Sequence, residues 1–279
     1  MTVAVVTDSA ADLPPALAAS HGIEVVPLTV SFGKESYVSG ADLDADAFWK
    51  KLRSSSEAPT TAAPSTGDFE TAYRRLIADG ATAIVSVHLS SKLSATYQAA
   101  TVAAQEISDV PIEVYDSLSV SAAEGFLALQ AAERAAAGDP APEIVRRLGE
   151  LQARIHLYGV IDTLEYLRLG GRIGGAQALL GTMLKMKPVI SLRDGIVEPV
   201  GRVRTRAKAL EHLAGLVRQH QGRIERLVVI NGDAPDVGVL LEHLAGVVDV
   251  PPSDVWTLGP IVGAHAGPGV VGTVFTTSA

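Results

Sequence analysis

Apolar positions follow one rhythm up to about residue 155 and a different one afterwards. In the first part, short apolar runs alternate with stretches whose apolar residues recur every three or four positions. Val3–Val6 reads as a buried strand, and Asp12-Leu13-Pro14 reads as an N-cap followed by a first-turn proline, opening a helix over 14–20 that ends at Gly22. A strand follows over 23–32. The polar stretch 53–66, punctuated by Pro59 and Pro64, reads as loop. Ser65 and Asp68 have capping-box spacing for a helix over 66–79. The alternation continues with a strand over 82–88, a helix over 95–107, a strand over 111–115 and a helix over 121–137, where Ser121 and Glu124 again have capping-box spacing. Such alternation predicts an α/β domain with a mostly parallel sheet and flanking helices over residues 1–155.

Beyond residue 155 hairpin signals enter. A strand over 156–161 and a short helix over 163–169 stop at Gly170-Gly171. Two apolar runs, 188–192 and 196–203, flank Arg193-Asp194-Gly195, the chemistry of a hairpin turn. Helices over 206–220 and 235–247 and strands over 224–230, 254–258 and 270–276 complete a second domain, 156–279, of α+β type with antiparallel pairing. The stretch 259–269, with four glycines and two prolines, reads as a constrained loop that aims His265.

Composition narrows the class. The 279 residues are 47% hydrophobic but only 5% aromatic, so the core is aliphatic. No apolar run approaches the roughly 18 residues that span a bilayer. There is no cysteine and hence no thiolate metal site, and the N-terminus runs straight into a strand. A cytoplasmic protein is expected. The net charge of −8 opposes general nucleic-acid binding. The charge is uneven, however: residues 168–208 hold nine Lys/Arg and two acids, about +7 against about −15 elsewhere. One basic face on an acidic body is expected.

The stretch His88 to Gln98 places hydroxyls at 90, 91, 94 and 96 at a strand-to-helix turn. Helix-start N–H groups lack internal partners and carry partial positive charge, so the turn suits a carboxylate or phosphate. The spacing equally allows Ser94 or Ser91 simply to cap the helix. Thr61, beside the capping Ser65, is a second available hydroxyl, and His265 is either an aimed side chain or a turn histidine bonded to backbone. The string Gly267-x-Gly269-x-x-Gly272 matches a dinucleotide fingerprint, but a strand follows it where a helix is required. The seven histidines are scattered, with 212, 220 and 243 on expected helix surfaces, so no metal site is expected.

Taken in order, these segments resemble the DegV family over nearly the whole chain. The marks are Val-Val-Thr-Asp-Ser at 5–9, Pro-Thr-Thr-x-x-Pro-Ser at 59–65, Ser-Ser-x-Leu-Ser-x-Thr-Tyr-Gln at 90–98 and Leu-Glu-Tyr-Leu-x-x-Gly-Gly-Arg-Ile at 164–173. Gly-Thr-Met-Leu-Lys-Met-Lys-Pro at 181–188, Val-Arg-Thr at 203–205 and His-x-Gly-Pro-Gly at 265–269 complete the set. The resemblance implies a long-chain fatty acid held between the two domains, with no other cofactor. It implies a non-catalytic subunit of a fatty acid kinase, which presents the carboxylate to a separate ATP-dependent kinase subunit for acyl-phosphate formation. Carried over by motif, Thr61 and Ser94 would bind the carboxylate, with Ser91 and His265 beside them. Arg172, Arg202 and Arg204 would serve kinase docking or head-group access. The expected partners are the fatty acid and the kinase, with no nucleic acid and at most transient contact with a membrane surface. Two departures stand out: Ala62-Ala63 where the family often has Ser-Gln, and Ala95, whose methyl would crowd a close approach, where it often has Gly. The competing readings are a stand-alone phosphotransferase or hydrolase using Ser94 or Ser91 with His265, and a nucleic-acid regulator using the basic segment.

Overall fold

In the computed structural model, which describes residues 2–182, 186–248 and 254–278, the chain forms two compact units. One comprises Met1–Thr29 with Thr61–Ala153, the other Val30–Thr60 with Arg154–Ala279. The first half of the chain runs β1 (Val3–Asp8), α1 (Pro15–Ser20), β2 (Ile23–Val26), β3 (Thr29–Phe32), β4 (Glu35–Val38), α2 (Ala45–Ser54), β5 (Thr60–Ala62), α3 (Thr66–Ala78), β6 (Ala83–His88), α4 (Thr96–Gln105), β7 (Ile112–Asp116), α5 (Ala122–Ala136) and α6 (Ala141–Gln152). The second half runs β8 (Ile155–Val160), α7 (Glu165–Leu169), a 3-10 segment (Gly174–Thr182), β9 (Lys187–Arg193), β10 (Ile196–Val203), α8 (Arg206–Arg218), β11 (Ile224–Gly232), α9 (Val237–Leu244), β12 (Val255–Thr257), α10 (Pro260–Ala266) and β13 (Val270–Thr277).

The first unit is built on a parallel sheet of order β2-β1-β6-β7. Parallel strands need crossover helices, which cover both faces and make the central strands apolar throughout rather than alternating. Every residue of β6 is accordingly buried. Val6, Phe69, Tyr73, Ile84, Ala100 and Ala103 form one core with α3 and α4. Helix α5 is buried from Ala122 to Leu129 without a solvent face, which its small side chains allow.

Three local expectations are corrected here. The pattern over 23–32 suggested one strand, but Pro27 cannot donate to a ladder; the chain makes β2 and β3, and Leu28 N–H turns to the Ser9 hydroxyl at 2.9 Å. Asp12 does not cap α1. It lies in the left-handed region and accepts the Ser121 hydroxyl, while Pro14 and Pro15 start the helix without a side-chain cap. Ser121 and Glu124 form no capping box, because Glu124 is turned into the core instead of back to the helix end. The box at Ser65 and Asp68 is present, with Asp68 N–H to Ser65 Oγ at 3.2 Å and Ser65 N–H to Asp68 Oδ2 at 2.8 Å.

The second unit carries a six-stranded sheet of order β10-β9-β8-β13-β11-β12, antiparallel except for β11 with β12. The β9–β10 turn has Asp194 and Gly195 both at positive φ, 50° and 84°, which matches the twist of a tight hairpin. Leu210, Leu213, Val217, Val229, Leu240, Val271 and Phe275 pack α8 and α9 onto this sheet. Residues 30–60 belong to this unit, and Trp49 Nε1 of α2 donates to Leu258 O at 3.2 Å. The α/β and α+β characters expected from the two rhythms are both present. The expected loop over 259–269 is not: seven of its residues form α10, because Pro260 at the first turn presets φ and has no N–H to leave unpaired.

Both tryptophans of the chain, Trp49 and Trp256, lie in the second unit. Leu213→Ala should therefore lower the stability read by tryptophan fluorescence in urea by about 2–5 kcal/mol, the cost of a buried leucine truncation. A transition unchanged from wild type would show that the helix-to-sheet core is not what holds this unit.

Candidate functional site

In the first unit the chain leaves β1 towards β2 on one side and leaves β6 towards β7 on the other, so the carboxyl ends of β1 and β6 form the switch point at which open α/β sheets commonly bind ligands. Thr7-Asp8-Ser9 and the segment from His88 to Ser94 lie there. Asp8 is completely buried: its Oδ1 accepts Ala10 N–H at 2.9 Å, and its Oδ2 accepts Leu89 N–H at 3.1 Å and faces His88 Nδ1 at 3.0 Å. His88 Nε2 stands 2.7 Å from Ser86 Oγ, which the Tyr73 hydroxyl reaches at 2.8 Å. Thr7 Oγ1 donates to Glu124 Oε1 at 3.1 Å. Burial first, and then the charge of Asp8, holds the Glu124 carboxyl well above the usual carboxylate range; burial likewise pushes the Tyr73 phenol up.

The turn after β6 is tied down amide by amide. Leu89 N–H goes to Asp8, Ser90 N–H to Ser119 O at 2.7 Å, and Ser91 N–H to Asp116 Oδ1 at 3.2 Å. Leu93 and Ser94 N–H both fold back on Ser90 O, at 2.9 and 3.2 Å. Ser94 is half-buried, with its Oγ 2.9 Å from Thr96 Oγ1 and accepting Thr96 N–H at 3.3 Å, while Ser91 is exposed. The N-cap position of α4 is Ala95, which has no side-chain acceptor of its own; Ser94, one residue earlier, takes the first helical amide, and Ser91 takes none. Ala95 is exposed at φ −77°, ψ 1°, a conformation open to any L-residue, so its methyl is carried without backbone strain. Thr61 is half-buried on the separate strand β5.

In the second unit, α7 ends in a Schellman arrangement: Gly171 is left-handed at φ +71°, its N–H meets Arg168 O at 3.1 Å, and Arg172 N–H meets Leu167 O at 2.9 Å. This turns Arg172 back so that its guanidinium donates to Gly170 O at 2.5 Å. The His265 ring of α10 lies against the same corner, since a methyl on Gly170 would stand 2.2 Å from its Nδ1. Burial, and secondarily the charge of Arg172, lowers the His265 imidazole to about 4. It is neutral at pH 7, with one N–H to donate and one nitrogen to accept.

The basic segment shrinks in space. Arg168 pairs with Glu165, Lys187 with Asp162, and Arg206 with Asp236 and Asp162, all acids from outside 168–208. Lys185, with 183–184 of the family motif, lies outside the described residues. Arg202 and Arg204, exposed at the carboxyl end of β10, have no acidic partner among the described residues. The structure thus brings Ser91 and Ser94 onto one turn and His265 and Arg172 onto one corner. Sequence reasoning missed Asp8, His88 and Glu124 as a connected group; the only local signal was a polar triplet closing an apolar strand. Among the described residues no three His, Asp or Glu side chains are grouped to hold a metal ion, and no helix is long and apolar enough to cross a membrane.

An all-parallel sheet with polar side chains at its order switch, joined to a largely antiparallel α+β unit, defines a two-unit class of α/β protein. The model of the DegV family, described as "Uncharacterised protein, DegV family", matches residues 2–278, and the chain belongs to that family. A DegV domain-containing protein of Streptomyces coelicolor is 39% identical over 99% of this chain and 98% of its own. Among solved structures, a DegV family protein from Thermus thermophilus, described for its fatty acid binding, is 35% identical with a TM-score of 0.91. DegV of Bacillus subtilis, described as a fatty acid binding protein, is 30% identical with a TM-score of 0.87. Each covers 100% of both chains.

A neutral buried imidazole gives stability a pH sign. With its folded value near 4 and its unfolded value near 6.5, His265 binds a proton more readily unfolded, so stability is full above about 6.5 and is lost as pH falls towards 4. His156, lowered to about 4 by burial and by His220 and Arg223, acts in the same direction. Between pH 7 and 4.5 the wild type should lose up to about 2 kcal/mol more than His265→Gln in urea titrations followed by tryptophan fluorescence. Parallel losses in the two proteins would show that the ring is solvated.

Proposed function

We propose that the chain binds a long-chain fatty acid and presents its carboxylate to a separate ATP-dependent kinase subunit for acyl-phosphate formation, without catalysing that step itself. The observation that carries the lipid part is the match over the full length to the Thermus thermophilus fatty-acid-binding structure. The chemistry of the chain supports it. Burying roughly fifteen methylenes at about 0.8 kcal/mol each stabilises the complex by on the order of 12 kcal/mol before association costs. A carboxylate leaving water needs donors, because an unpaired buried charge costs far more than a hydrogen bond gains. In this reading Ser94 and Thr61 supply hydroxyls, with Ser91 at the exposed end of the turn and neutral His265 as a further donor. Arg202 and Arg204, exposed and unneutralised, serve kinase docking, and Arg172 serves head-group access. The stand-alone hydrolase reading has less support: Ser94 Oγ is bonded to Thr96, with no base in the pairing.

Denaturing mass spectrometry of the purified protein should release stoichiometric fatty acid; a lipid-free protein that also ignores added oleate overturns the reading. Ser94→Ala should weaken oleate binding by about 10- to 100-fold, as expected for a hydrogen bond to a charged group. Arg202→Ala should keep its lipid and lose phosphorylation by the kinase; loss of the lipid instead would place Arg202 in the pocket.

A further inference from the structure

The group around Asp8 takes no part in the proposed lipid contacts, yet it is the most deeply buried cluster of ionisable side chains in the first unit. Asp8, His88, Ser86 and Glu124 are each 0% exposed. The hydrogen bonds within it form one chain: Tyr73 donates to Ser86, Ser86 Oγ stands 2.7 Å from His88 Nε2, and His88 Nδ1 faces Asp8 Oδ2 at 3.0 Å. Asp8 receives two backbone N–H groups in addition, so three N–H donors converge on its two oxygens.

Glu124 is the exception. Its Oε1 takes the Thr7 hydroxyl, but no donor reaches Oε2, and its carboxyl lies within interaction range of the Asp8 carboxylate. Two bare carboxylates cannot share a dry site. A carboxylic acid beside a carboxylate can, because its own proton makes the missing hydrogen bond.

We propose that Glu124 keeps its proton and donates it to Asp8, and that this buried pair is the positioning element of the serine turn. The link to the turn is direct. Asp8 Oδ2 holds Leu89 N–H, the first amide after β6, and the next residue, Ser90, carries the carbonyl on which Leu93 and Ser94 N–H close. Moving the Asp8 carboxylate moves the base of the turn that presents the Ser94 hydroxyl. The inference rests on Ser94 belonging to the carboxylate site.

The two acids should respond in opposite ways to amide substitution. Glu124→Gln replaces a neutral acid by a neutral amide, whose NH2 donates to Asp8 while its oxygen still accepts from Thr7. Asp8→Asn leaves one acceptor oxygen for donors that arrive on two, and sets an NH2 against the N–H of either Ala10 or Leu89. With delipidated protein and oleate as probe, Glu124→Gln should bind within twofold of wild type, whereas Asp8→Asn and Glu124→Ala should each lose at least tenfold. Hydrogen exchange over residues 88–96 should quicken in Asp8→Asn and Glu124→Ala and stay unchanged in Glu124→Gln. At pH 7 the infrared carbonyl band of a protonated carboxylic acid should be present in wild type and absent in Glu124→Gln. Absence of that band in wild type, damage by Glu124→Gln equal to that by Glu124→Ala, or normal binding by Asp8→Asn overturns the proposal. If Asp8→Asn does not fold, Glu124→Gln and the infrared band carry the test. If wild type binds no oleate, the lipid reading fails, while exchange and infrared still judge the buried pair.

Discussion

A carboxylate in a dry sheet end is the constraint from which the first unit is organised. Asp8 closes the apolar strand β1 where the strand order of the sheet reverses. Left alone there, its charge would cost several kcal/mol. It is tolerated because donors come from two elements: Ala10 from the turn following β1, and Leu89 with His88 from the end of β6. The same interactions fix how each chain leaves the sheet. The residue therefore acts as a clamp between two strand exits, and the hydroxyl turn inherits its position from it.

The two units handle polarity differently. In the first, buried polar and ionisable groups from Tyr73 through Ser86 and His88 to Asp8 form one hydrogen-bonded chain, which favours one arrangement over alternatives. In the second, His265 is kept neutral by burial, with the neighbouring Arg172 directed to Gly170 O, and other cations of the unit are directed to acids: Arg206 to Asp236 and Lys187 to Asp162. A charge count along the chain made one broad basic face. Pairing in space reduces the described part of it, leaving Arg193, Arg202, Arg204 and Lys208 as exposed cations without an acidic partner among the described residues.

Much of the fold was legible because its causes are local. Apolar runs without alternation marked the parallel strands, Asp194-Gly195 marked the hairpin, and Ser65 with Asp68 marked a helix start. What escaped depended on distant partners. Ser121 and Glu124 have capping spacing, yet Ser121 is bonded to Asp12 and Glu124 to Thr7, both more than a hundred residues away. Helix α10 was hidden because glycine and proline density signals loop, whereas Pro260 starts this helix without penalty. The hydroxyls of the candidate site could be listed from sequence; that Asp8 sets their turn could not, since an acid after a strand resembles any strand-end turn.

The tethered amides also alter the chemistry a head group would meet. The amides of the turn before α4, those of Leu89, Ser90 and Ser91, are committed to Asp8, Ser119 and Asp116, and the first amide of the helix itself, Thr96 N–H, goes to Ser94 Oγ. On the proposed reading the turn meets the carboxylate with side-chain hydroxyls, whose protons rotate. Ser94 and Thr96 share one hydrogen bond, so one hydroxyl proton of the pair remains to be directed elsewhere. Rotating donors suit a ligand that must be held and then handed on, because they relax onto each other when it leaves. A fixed nest of amides would leave buried donors unpaired at that moment, at a cost of about 1–3 kcal/mol each. The committed backbone and the adaptable hydroxyls are thus two parts of one arrangement: the first keeps the turn rigid so that the second can exchange partners at little cost.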